Sequence, residues 1–332
     1  MPYYKMKTAK LRALRQLFYF MQAAVRSCIL KKETVHAYPL SISVEAASSC
    51  NLRCRYCYQA SAKDKFDRGG GNMDFGLFEE LIKEISGKPY PVNINFDLGG
   101  EPFLNDRLMD MVELASAHKR FTNISTNGTM LTDEIIDRIL DSGLNKIGFS
   151  IDFLRGENMR DGSDIREVVS NIDKMIYRRN MSKKSKPRII IRSLDLKGVL
   201  VKSLIGLFEN RPDAVFFNPP TNWAGLIDFP RLGEAYNICM LPWLEMAMLH
   251  NGECILCCND MQGAFMAGKF PDQNLQDIWQ GNKLKTARRA IMDKDSSFSE
   301  GQNCPRCTRL KNPIPFKNYL RYLYEEARSS FA

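Results

Sequence analysis

The chain has 332 residues with a net charge of +9, and 44% of its residues are hydrophobic, enough for a substantial core. No stretch approaches the ~18 consecutive apolar residues of a membrane-spanning helix, which excludes such a helix. The apolar run at 17–25 is interrupted by Gln22 and lacks a signal-peptide cleavage site. Ten cysteines in a long chain favour metals or clusters in a reducing cytoplasm over the disulfides of small secreted domains. We therefore expect a cytoplasmic protein.

Positive charge is concentrated at the N-terminal end of the sequence. Residues 1–32 contain eight Lys and Arg and no Asp or Glu, so they contribute +8 of the net +9. Apolar side chains recur there at steps of three and four, which predicts a helix with one apolar face. We expect that face to pack on the body and the basic face to be solvated; contact with an anionic membrane or a partner is the alternative. The apolar positions are Leu11, Leu14, Phe18, Met21, Val25 and Cys28.

From residue 39 onward, strand-like and helix-like segments alternate. This alternation predicts six parallel βα units, and in barrels built from such units the chemistry lies at the carboxyl ends of the strands. The strand-like segments are 39–45, 92–98, 121–125, 146–152, 188–194 and 214–218. The helix-like segments are 73–86, 105–119, 131–141, 164–179 and 199–209.

Three cysteines follow the first predicted strand within eight residues. Cys50, Cys54 and Cys57 have CxxxCxxC spacing, so all three thiolates can reach one metal centre. A four-iron cluster takes four ligands, and three cysteines would leave one iron open. A structural zinc site would instead be closed by four protein ligands, and no histidine lies near this loop in the sequence. Zinc and incidental buried thiols remain the alternatives.

Polar segments follow the next three predicted strands. They are Gly99-Gly100-Glu101-Pro102, Ser125-Thr126-Asn127-Gly128 and Ser150-Ile151-Asp152. Glycines allow a ligand to approach the backbone, and a carboxylate beside them can pair with an ammonium group. Each segment by itself is a weak signal, since a plain turn has the same composition.

The cysteine loop, including Tyr56 before its third cysteine, resembles the signature of the radical S-adenosylmethionine (SAM) enzymes. The three polar segments, in this order, resemble that family's GGE, TNG and SID segments. The resemblance implies an α/β fold, a partial (β/α)₆ TIM-like barrel. It further implies that Cys50, Cys54 and Cys57 hold a [4Fe-4S] cluster whose open iron chelates SAM. Reductive cleavage of SAM would yield a 5′-deoxyadenosyl radical that abstracts a substrate hydrogen.

The resemblance also implies a set of SAM-binding residues. Glu101 is expected to bind the SAM amino group. The family usually has a glycine after the SID aspartate, where this chain has Phe153. Arg160 stands where the family's arginine belongs and is the candidate for the SAM carboxylate, with Arg192 as its rival. The sequence identifies no catalytic acid or base. The implied cofactor-binding residues are Gly99, Gly100, Glu101, Ser125, Asn127, Ser150, Asp152, Arg160 and Arg192.

The C-terminal part contains six of the ten cysteines. Its pattern, Cys-(x)₁₂-Gly-(x)₄-Cys followed by a distant CxxC, resembles the SPASM/twitch extension of radical SAM enzymes. The resemblance implies one auxiliary [4Fe-4S] cluster, because no cysteine follows the CxxC. A zinc site with the same ligands is the alternative. The implied ligands are Cys239, Cys257, Cys304 and Cys307. We expect the remaining cysteines to be buried thiols of unassigned role; these are Cys28, Cys254 and Cys258.

We expect four parts: a basic helical extension (1–38), the radical SAM core (39–225), a SPASM/twitch domain (226–312) and a C-terminal helix (313–332). The twitch type resembles enzymes that oxidise or rearrange hydroxylated small molecules such as sugars and aminocyclitols, where an auxiliary cluster can accept an electron. Peptide-modifying maturases are the alternative, although many carry a leader-recognition domain for which about 38 residues are too few. A zinc-bearing nucleic-acid binder is a remote third, and no nucleic-acid partner is expected. The expected electron donor is a flavodoxin or ferredoxin with its reductase.

Overall fold

The computed structural model describes residues 17–34, 36–61, 68–88, 92–154, 157–194, 204–218, 221–227 and 239–295, together with Arg15, Cys304, Cys307 and Thr308. The predicted helix at 313–332 and residues 199–203 of the predicted helix at 199–209 lie outside the described residues. Within the described residues, no helix is long and apolar enough to cross a membrane.

In the described part of the chain, nine strands form one sheet. From one edge to the other they are β11 (Met266–Lys269), β10 (Glu253–Ile255), β9 (Glu245–Met248), β1 (Ser41–Val44), β2 (Asn93–Phe96), β3 (Thr122–Thr126), β4 (Lys146–Ser150), β7 (Arg188–Leu194) and β8 (Ala214–Asn218). All six predicted strands are present, and they pair in parallel in sequence order, as the predicted partial barrel requires. They are β1 (Ser41–Val44), β2 (Asn93–Phe96), β3 (Thr122–Thr126), β4 (Lys146–Ser150), β7 (Arg188–Leu194) and β8 (Ala214–Asn218). A small hairpin that was not predicted follows β4, with strands β5 (Phe153–Leu154) and β6 (Glu157–Asn158).

Helices connect the strands and cover the outside of the sheet. Side chains at their N-termini accept hydrogen bonds from the first backbone amides; Asp74, Thr132 and Asp164 do so, and these caps fix where three helices begin. The inner strands are buried on both faces, as parallel sheets usually are. The helices are α1 (Tyr58–Ser61), α2 (Phe75–Ile85), α3 (Leu108–Ala117), α4 (Asp133–Asp141) and α5 (Ile165–Met181).

The C-terminal part extends the same sheet. Strand β9 pairs in parallel with β1, with Ile42 opposite Met246, and β10 and β11 continue outward as antiparallel strands. The pairing of this part with the barrel was not predicted. The elements are α6 (Leu241–Leu244), β9 (Glu245–Met248), β10 (Glu253–Ile255), β11 (Met266–Lys269), α7 (Leu275–Gln280) and α8 (Asn282–Asp293).

The N-terminal helix packs through a different face from the one predicted. Residues 17–24 are α-helical and continue as a π-helix over Val25–Ile29. Phe20, Ala23 and Ser27 are buried, whereas the predicted packing residues Phe18 and Met21 are exposed. The prediction was wrong because apolar side chains lie on opposite sides of this helix, and periodicity alone does not say which side faces the body.

The segment after this helix is fixed to the C-terminal part by side-chain donors. The indole N–H groups of Trp243 and Trp279 donate to the backbone carbonyls of Lys32 (3.2 Å) and His36 (3.0 Å). Arg288 lies buried over the Trp279 ring and donates to the Pro242 carbonyl at 2.8 Å. These hydrogen bonds attach the segment that follows the N-terminal helix to the C-terminal part.

Candidate functional site

The cysteine loop begins where β1 ends. A tight turn, closed by a 3.0 Å hydrogen bond from the Cys57 amide to the Cys54 carbonyl, brings two of the thiols together. All three thiols are partly buried. Burial raises the pKa of Cys50 and Cys54, and it raises the pKa of Cys57 to about 11. Raised pKa values mean that the thiolate forms of these three cysteines are disfavoured on their own. A bound cation would stabilise them, so thiolate ligation here needs one.

Arg160 approaches this loop from the segment after β6. One of its guanidinium nitrogens lies 3.7 Å from the Cys54 sulfur, and another pairs with the Asp152 carboxylate at 2.7 Å. Its Nε is buried and has no hydrogen-bond partner among the described residues. An unpaired donor beside three thiols fits a site that receives an anionic ligand group.

The donor set suits a four-iron cluster. Within the described residues, no group of three or more His, Cys, Asp or Glu is placed to hold a single metal ion. A four-iron cluster takes one thiolate on each iron, and Cys50, Cys54 and Cys57 supply three such donors on one loop, a set that would leave one iron open. The unpaired Arg160 Nε lies beside Cys54.

Glu101 is buried at the carboxyl end of β2, where it is 2% exposed. Its carboxylate accepts hydrogen bonds from the Thr126 hydroxyl (2.6 Å) and the Asn127 amide (2.8 Å), which follow β3. Burial raises the pKa of this carboxyl. A buried carboxylate with a raised pKa gains from a cationic partner, and an ammonium group would supply one.

The two glycines before Glu101 make room for the chain itself. A Cβ on Gly100 would lie 1.7 Å from the Ser49 carbonyl oxygen, and one on Gly99 would lie 2.2 Å from a Glu45 carboxylate oxygen. Gly99 also has a φ of 80°, which favours glycine. In this structure the close approach that glycine allows is to the segment that leads into the cysteine loop, rather than to a ligand as the sequence suggested.

The remaining predicted SAM-binding residues lie at the same end of the sheet. The side-chain Nδ2 of Asn127 donates to the side-chain oxygen of Asn51 at 2.9 Å and lies 3.9 Å from the Cys50 sulfur. Arg192 crosses Gly148 on β4 to donate to the Ser125 hydroxyl at 3.1 Å. Ser150 is half-buried at the end of β4, paired in register with Arg192. Arg160 thus contacts the Cys54 thiol and Arg192 contacts the end of β3, so the two rival arginines occupy different places.

The second group of cysteines lines one cavity. Its cysteines come from three separate stretches of sequence, and burial raises the pKa of Cys257 well above its ordinary value. Its other walls are mostly apolar, but the buried Asn259 side chain lines it with an Nδ2 that has no partner among the described residues. The cysteines of the cavity are Cys239, Cys257, Cys304 and Cys307. Four thiols around one enclosed space suit a closed centre.

The other three cysteines lie outside both groups. Cys254 is buried, as expected, and Cys258 is partly buried. Cys28 is exposed, so the expectation that it is buried is wrong; its sulfur lies 3.8 Å from the Met240 sulfur.

A short loop joins the two groups of cysteines. The Trp223 indole donates to the Tyr56 carbonyl at 2.9 Å, and its ring packs edge-on against Tyr58. The neighbouring Asn222 side chain accepts a 3.0 Å hydrogen bond from the amide of Thr308, the residue after Cys307. Trp223 and Ala224 both have positive φ angles, 49° and 54°, which are uncommon for residues with side chains. No local sequence pattern indicated that Trp223 connects the two loops.

A buried ion pair beside the cysteine loop was also missed. Glu45, at the end of β1, pairs with Arg68 and accepts a 2.9 Å hydrogen bond from His250 in the β9–β10 turn. Burial acts to raise the pKa of the Glu45 carboxyl, but hydrogen bonds from Arg68 and His250 hold it below the usual value. A charged residue at the end of an apolar strand was the available signal, and partners so distant in sequence could not be inferred from it.

Two family models match the sequence. The radical SAM superfamily matches residues 44–196, and the SPASM iron–sulfur cluster-binding domain matches residues 239–308. The chain belongs to the radical SAM superfamily. It is an enzyme of that class with a C-terminal SPASM domain, and these memberships imply a SAM-binding [4Fe-4S] cluster together with auxiliary cluster binding.

Two curated proteins are similar to this chain, one over a short stretch and the other over most of its length. A tungsten-containing aldehyde ferredoxin oxidoreductase cofactor-modifying protein of Pyrococcus furiosus is 36% identical over 111 residues, which cover 33% of the chain but only 30% of that protein. The S-adenosyl-L-methionine-dependent 2-deoxy-scyllo-inosamine dehydrogenase of Niallia circulans is 22% identical over 276 residues, covering 81% of the chain and 92% of that protein.

Solved structures agree on the fold. BtrN in complex with AdoMet and 2-DOIA has a TM-score of 0.58 at 20% identity, covering 82% of the chain and 93% of BtrN. Streptococcus suis SuiB bound to its precursor peptide SuiA has a TM-score of 0.63 at 15% identity, covering 79% of the chain and 69% of SuiB. At these identities the likeness concerns the fold alone.

Proposed function

We propose that this radical SAM enzyme abstracts a carbon-bound hydrogen from a hydroxylated small molecule, such as a sugar or aminocyclitol, and thereby oxidises or rearranges it. The observation that carries the proposal is the similarity to an aminocyclitol dehydrogenase over 81% of this chain and 92% of that protein's length. When bound, the two clusters would supply the electron that cleaves SAM and an acceptor for the second electron of an alcohol oxidation.

The residues around the first cysteine group would hold SAM by complementary charge. Cys50, Cys54 and Cys57 would ligate the cluster and leave one iron open. The buried carboxylate of Glu101 would pair with the SAM ammonium, since burial raises the pKa of this carboxyl and a cationic partner would offset that effect. The unpaired Nε of Arg160 supports this arginine, rather than Arg192, as the partner of the SAM carboxylate.

The polar side chains on β3, β4 and the turns after them would orient the rest of SAM. Arg192 holds the Ser125 hydroxyl, and Asn127 is fixed between Asn51 and the Thr129 amide, so these groups are pre-positioned. Ser150 and Asp152 follow the next strand at the same end and are proposed to contact the nucleoside. Gly99 and Gly100 would contribute by letting the cysteine loop close over β2. Fixed side chains of this kind lower the cost of ordering a ligand.

The second cysteine group would hold an auxiliary [4Fe-4S] cluster. Four cysteines can complete the coordination of all four irons, so no iron would be open to SAM or substrate. The walls of the cavity are mostly apolar, although the buried Asn259 and Asp260 side chains also line it. The proposed ligands are Cys239, Cys257, Cys304 and Cys307.

Modification of a peptide is the alternative function. The fold similarity to SuiB bound to a precursor peptide favours it, because the same barrel with a SPASM part can accommodate a peptide.

The proposed parts of this chain are 1–38, 39–225, 226–312 and 313–332. We also propose a cytoplasmic location and a flavodoxin or ferredoxin with its reductase as electron donor, since exposed clusters and thiols require reducing conditions. A contact of residues 1–32 with a membrane or a partner is a separate proposal, because it does not involve the cysteine-bearing sites.

Isotope transfer tests the proposed substrate class. The anaerobically reconstituted, reduced enzyme would be incubated with SAM and a panel of aminocyclitols and sugars deuterated at their alcohol carbons, and in parallel with candidate precursor peptides. We expect deuterium in 5′-deoxyadenosine and a carbonyl product with one of the small molecules. Deuterium transfer from labelled peptides alone would favour the alternative. Failure to form 5′-deoxyadenosine under any condition would contradict both.

A further inference from the structure

The N-terminal helix presents an apolar stripe to solvent. Nine large hydrophobic side chains are exposed in the described part of the chain, and six of them lie between residues 17 and 30. Phe18 is 60% exposed and Ile29 is 72% exposed. Such clustering on one element is unlike the single exposed hydrophobic residues that are normal on protein surfaces. The six are Leu17, Phe18, Met21, Val25, Ile29 and Leu30.

The stripe lies on the side of the helix opposite the body. Phe18, Met21 and Val25 each precede a buried residue, Phe20, Ala23 or Ser27, by two positions. Two positions correspond to a rotation of about 200° around an α-helix. The outward side chains therefore cannot belong to the packing face, and the core does not account for them.

The body holds this stripe in a fixed position. The Ser27 hydroxyl lies 3.1 Å from the Met240 sulfur on the buried side of the helix. At the end of the helix the Lys32 carbonyl accepts the Trp243 indole, and the Glu33 carbonyl accepts Arg288 at 3.3 Å. The apolar residues are thus displayed by an anchored helix.

The charge around the stripe identifies its partner. Residues 1–32 carry eight positive side chains and no negative one. Arg15, Lys31 and Lys32 are exposed, and the two lysines directly follow Ile29 and Leu30. An apolar face flanked by lysine and arginine is suited to the headgroup region of a bilayer, where apolar side chains enter the acyl boundary and basic ones meet anionic lipid.

We propose that the N-terminal helix binds the surface of membranes that contain anionic phospholipid, with Phe18, Met21, Val25 and Ile29 inserted. The charge disfavours a second copy of this chain as the occupant, because a two-fold contact through this face would bring two +8 segments together. This surface is independent of the proposed reaction, and the proposal needs no transmembrane helix.

Vesicle sedimentation with the full-length, reconstituted protein tests the proposal. The probes are vesicles of phosphatidylcholine alone and of phosphatidylcholine with about a third phosphatidylglycerol, a mixture that supplies negative surface charge. We expect binding at least roughly tenfold stronger to the anionic vesicles, weakened by 0.5 M salt through screening. Equal binding to both vesicle types, or binding to neither, would overturn the proposal.

Variants separate the two contributions. Phe18→Ser with Ile29→Ser should reduce binding to anionic vesicles roughly tenfold or more by removing two inserted side chains. Lys31→Gln with Lys32→Gln should reduce it by a similar factor and flatten its salt dependence. The matched control is Tyr177→Ser with Met181→Ser, which removes two exposed apolar side chains from α5 and should change nothing.

Two further readouts keep the result interpretable. Iron content and circular dichroism should be the same in all variants, because none of the substituted side chains is buried. Sedimentation velocity without lipid should show one oligomeric state for wild type and variants. If the wild type self-associates and Phe18→Ser with Ile29→Ser abolishes that association, the face is an interface between copies and the membrane proposal is wrong.

Discussion

The two groups of cysteines differ in how the chain builds them. The first comes from a single loop of eight residues and is surrounded by polar side chains, among them Asn127 and Arg160. The second comes from three distant stretches of sequence and faces a largely apolar cavity. Three ligands in a polar setting suit a centre that binds a charged cofactor, and four ligands in an apolar one suit a centre that is closed. The difference in surroundings therefore parallels the difference in proposed role.

Removal of the first group of cysteines should have the largest effect, because it should abolish SAM cleavage and remove half of the iron. The variant with Cys50, Cys54 and Cys57 all changed to Ala should form no 5′-deoxyadenosine from SAM, because no open iron remains. It should keep about four of about eight irons per chain, those of the auxiliary centre. Iron analysis and chromatographic detection of 5′-deoxyadenosine measure both. One zinc and no iron in this variant would contradict an auxiliary cluster.

Removal of ligands from the second group should act mainly on folding. Cys304→Ser with Cys307→Ser should lower the iron content to about four per chain, with the SAM-dependent spectrum of the first cluster retained. Because this centre joins distant segments, its loss should also destabilise the C-terminal part. Thermal unfolding and limited proteolysis measure that effect, and Cys254→Ser, outside the cavity, is the matched control. Unchanged iron content would show that these two cysteines are not ligands.

Glu101 tests whether the first group is open to SAM. Glu101→Gln keeps the size of the side chain but removes its charge, so SAM binding should weaken by about 1.5–3 kcal/mol, the range of a hydrogen bond to a charged group. Calorimetry under anaerobic conditions measures it. Thr126→Val removes a hydrogen bond to the same carboxylate without removing the charge and should have the smaller effect. Equal SAM affinity of Glu101→Gln and wild type would show that Glu101 serves only the fold.

Local patterns predicted the first region better than the second. The six strands and the cysteine loop were predictable because each depends on residues adjacent in sequence. The pairing of β9 with β1 and the link from Glu45 to His250 were not, because each joins residues some 200 positions apart. The face on which the N-terminal helix packs was predicted wrongly, since both sides of that helix are apolar. Long-range contacts decide these features, and one sequence does not display them.

The smallest predicted effect concerns the loop that connects the two groups. Trp223→Phe keeps an aromatic ring against Tyr58 but removes the hydrogen bond to the Tyr56 carbonyl, which should cost about 0.5–1.5 kcal/mol of unfolding free energy. Asn222→Ala removes the contact with Thr308 on the other side of the loop.

If this loop couples the two groups of cysteines, the loss of unfolding free energy in the double variant should be smaller than the sum of the losses in the two single variants. Residues that share one contact network typically show such non-additivity. Chemical unfolding of the reconstituted protein gives all four free energies. The same four proteins should also differ in SAM affinity, because the Tyr56 carbonyl lies between Cys54 and Cys57 and its hydrogen bond holds that turn. Strict additivity, with SAM affinity unchanged throughout, would mean that the two cysteine groups are neighbours in the fold without being coupled by Trp223.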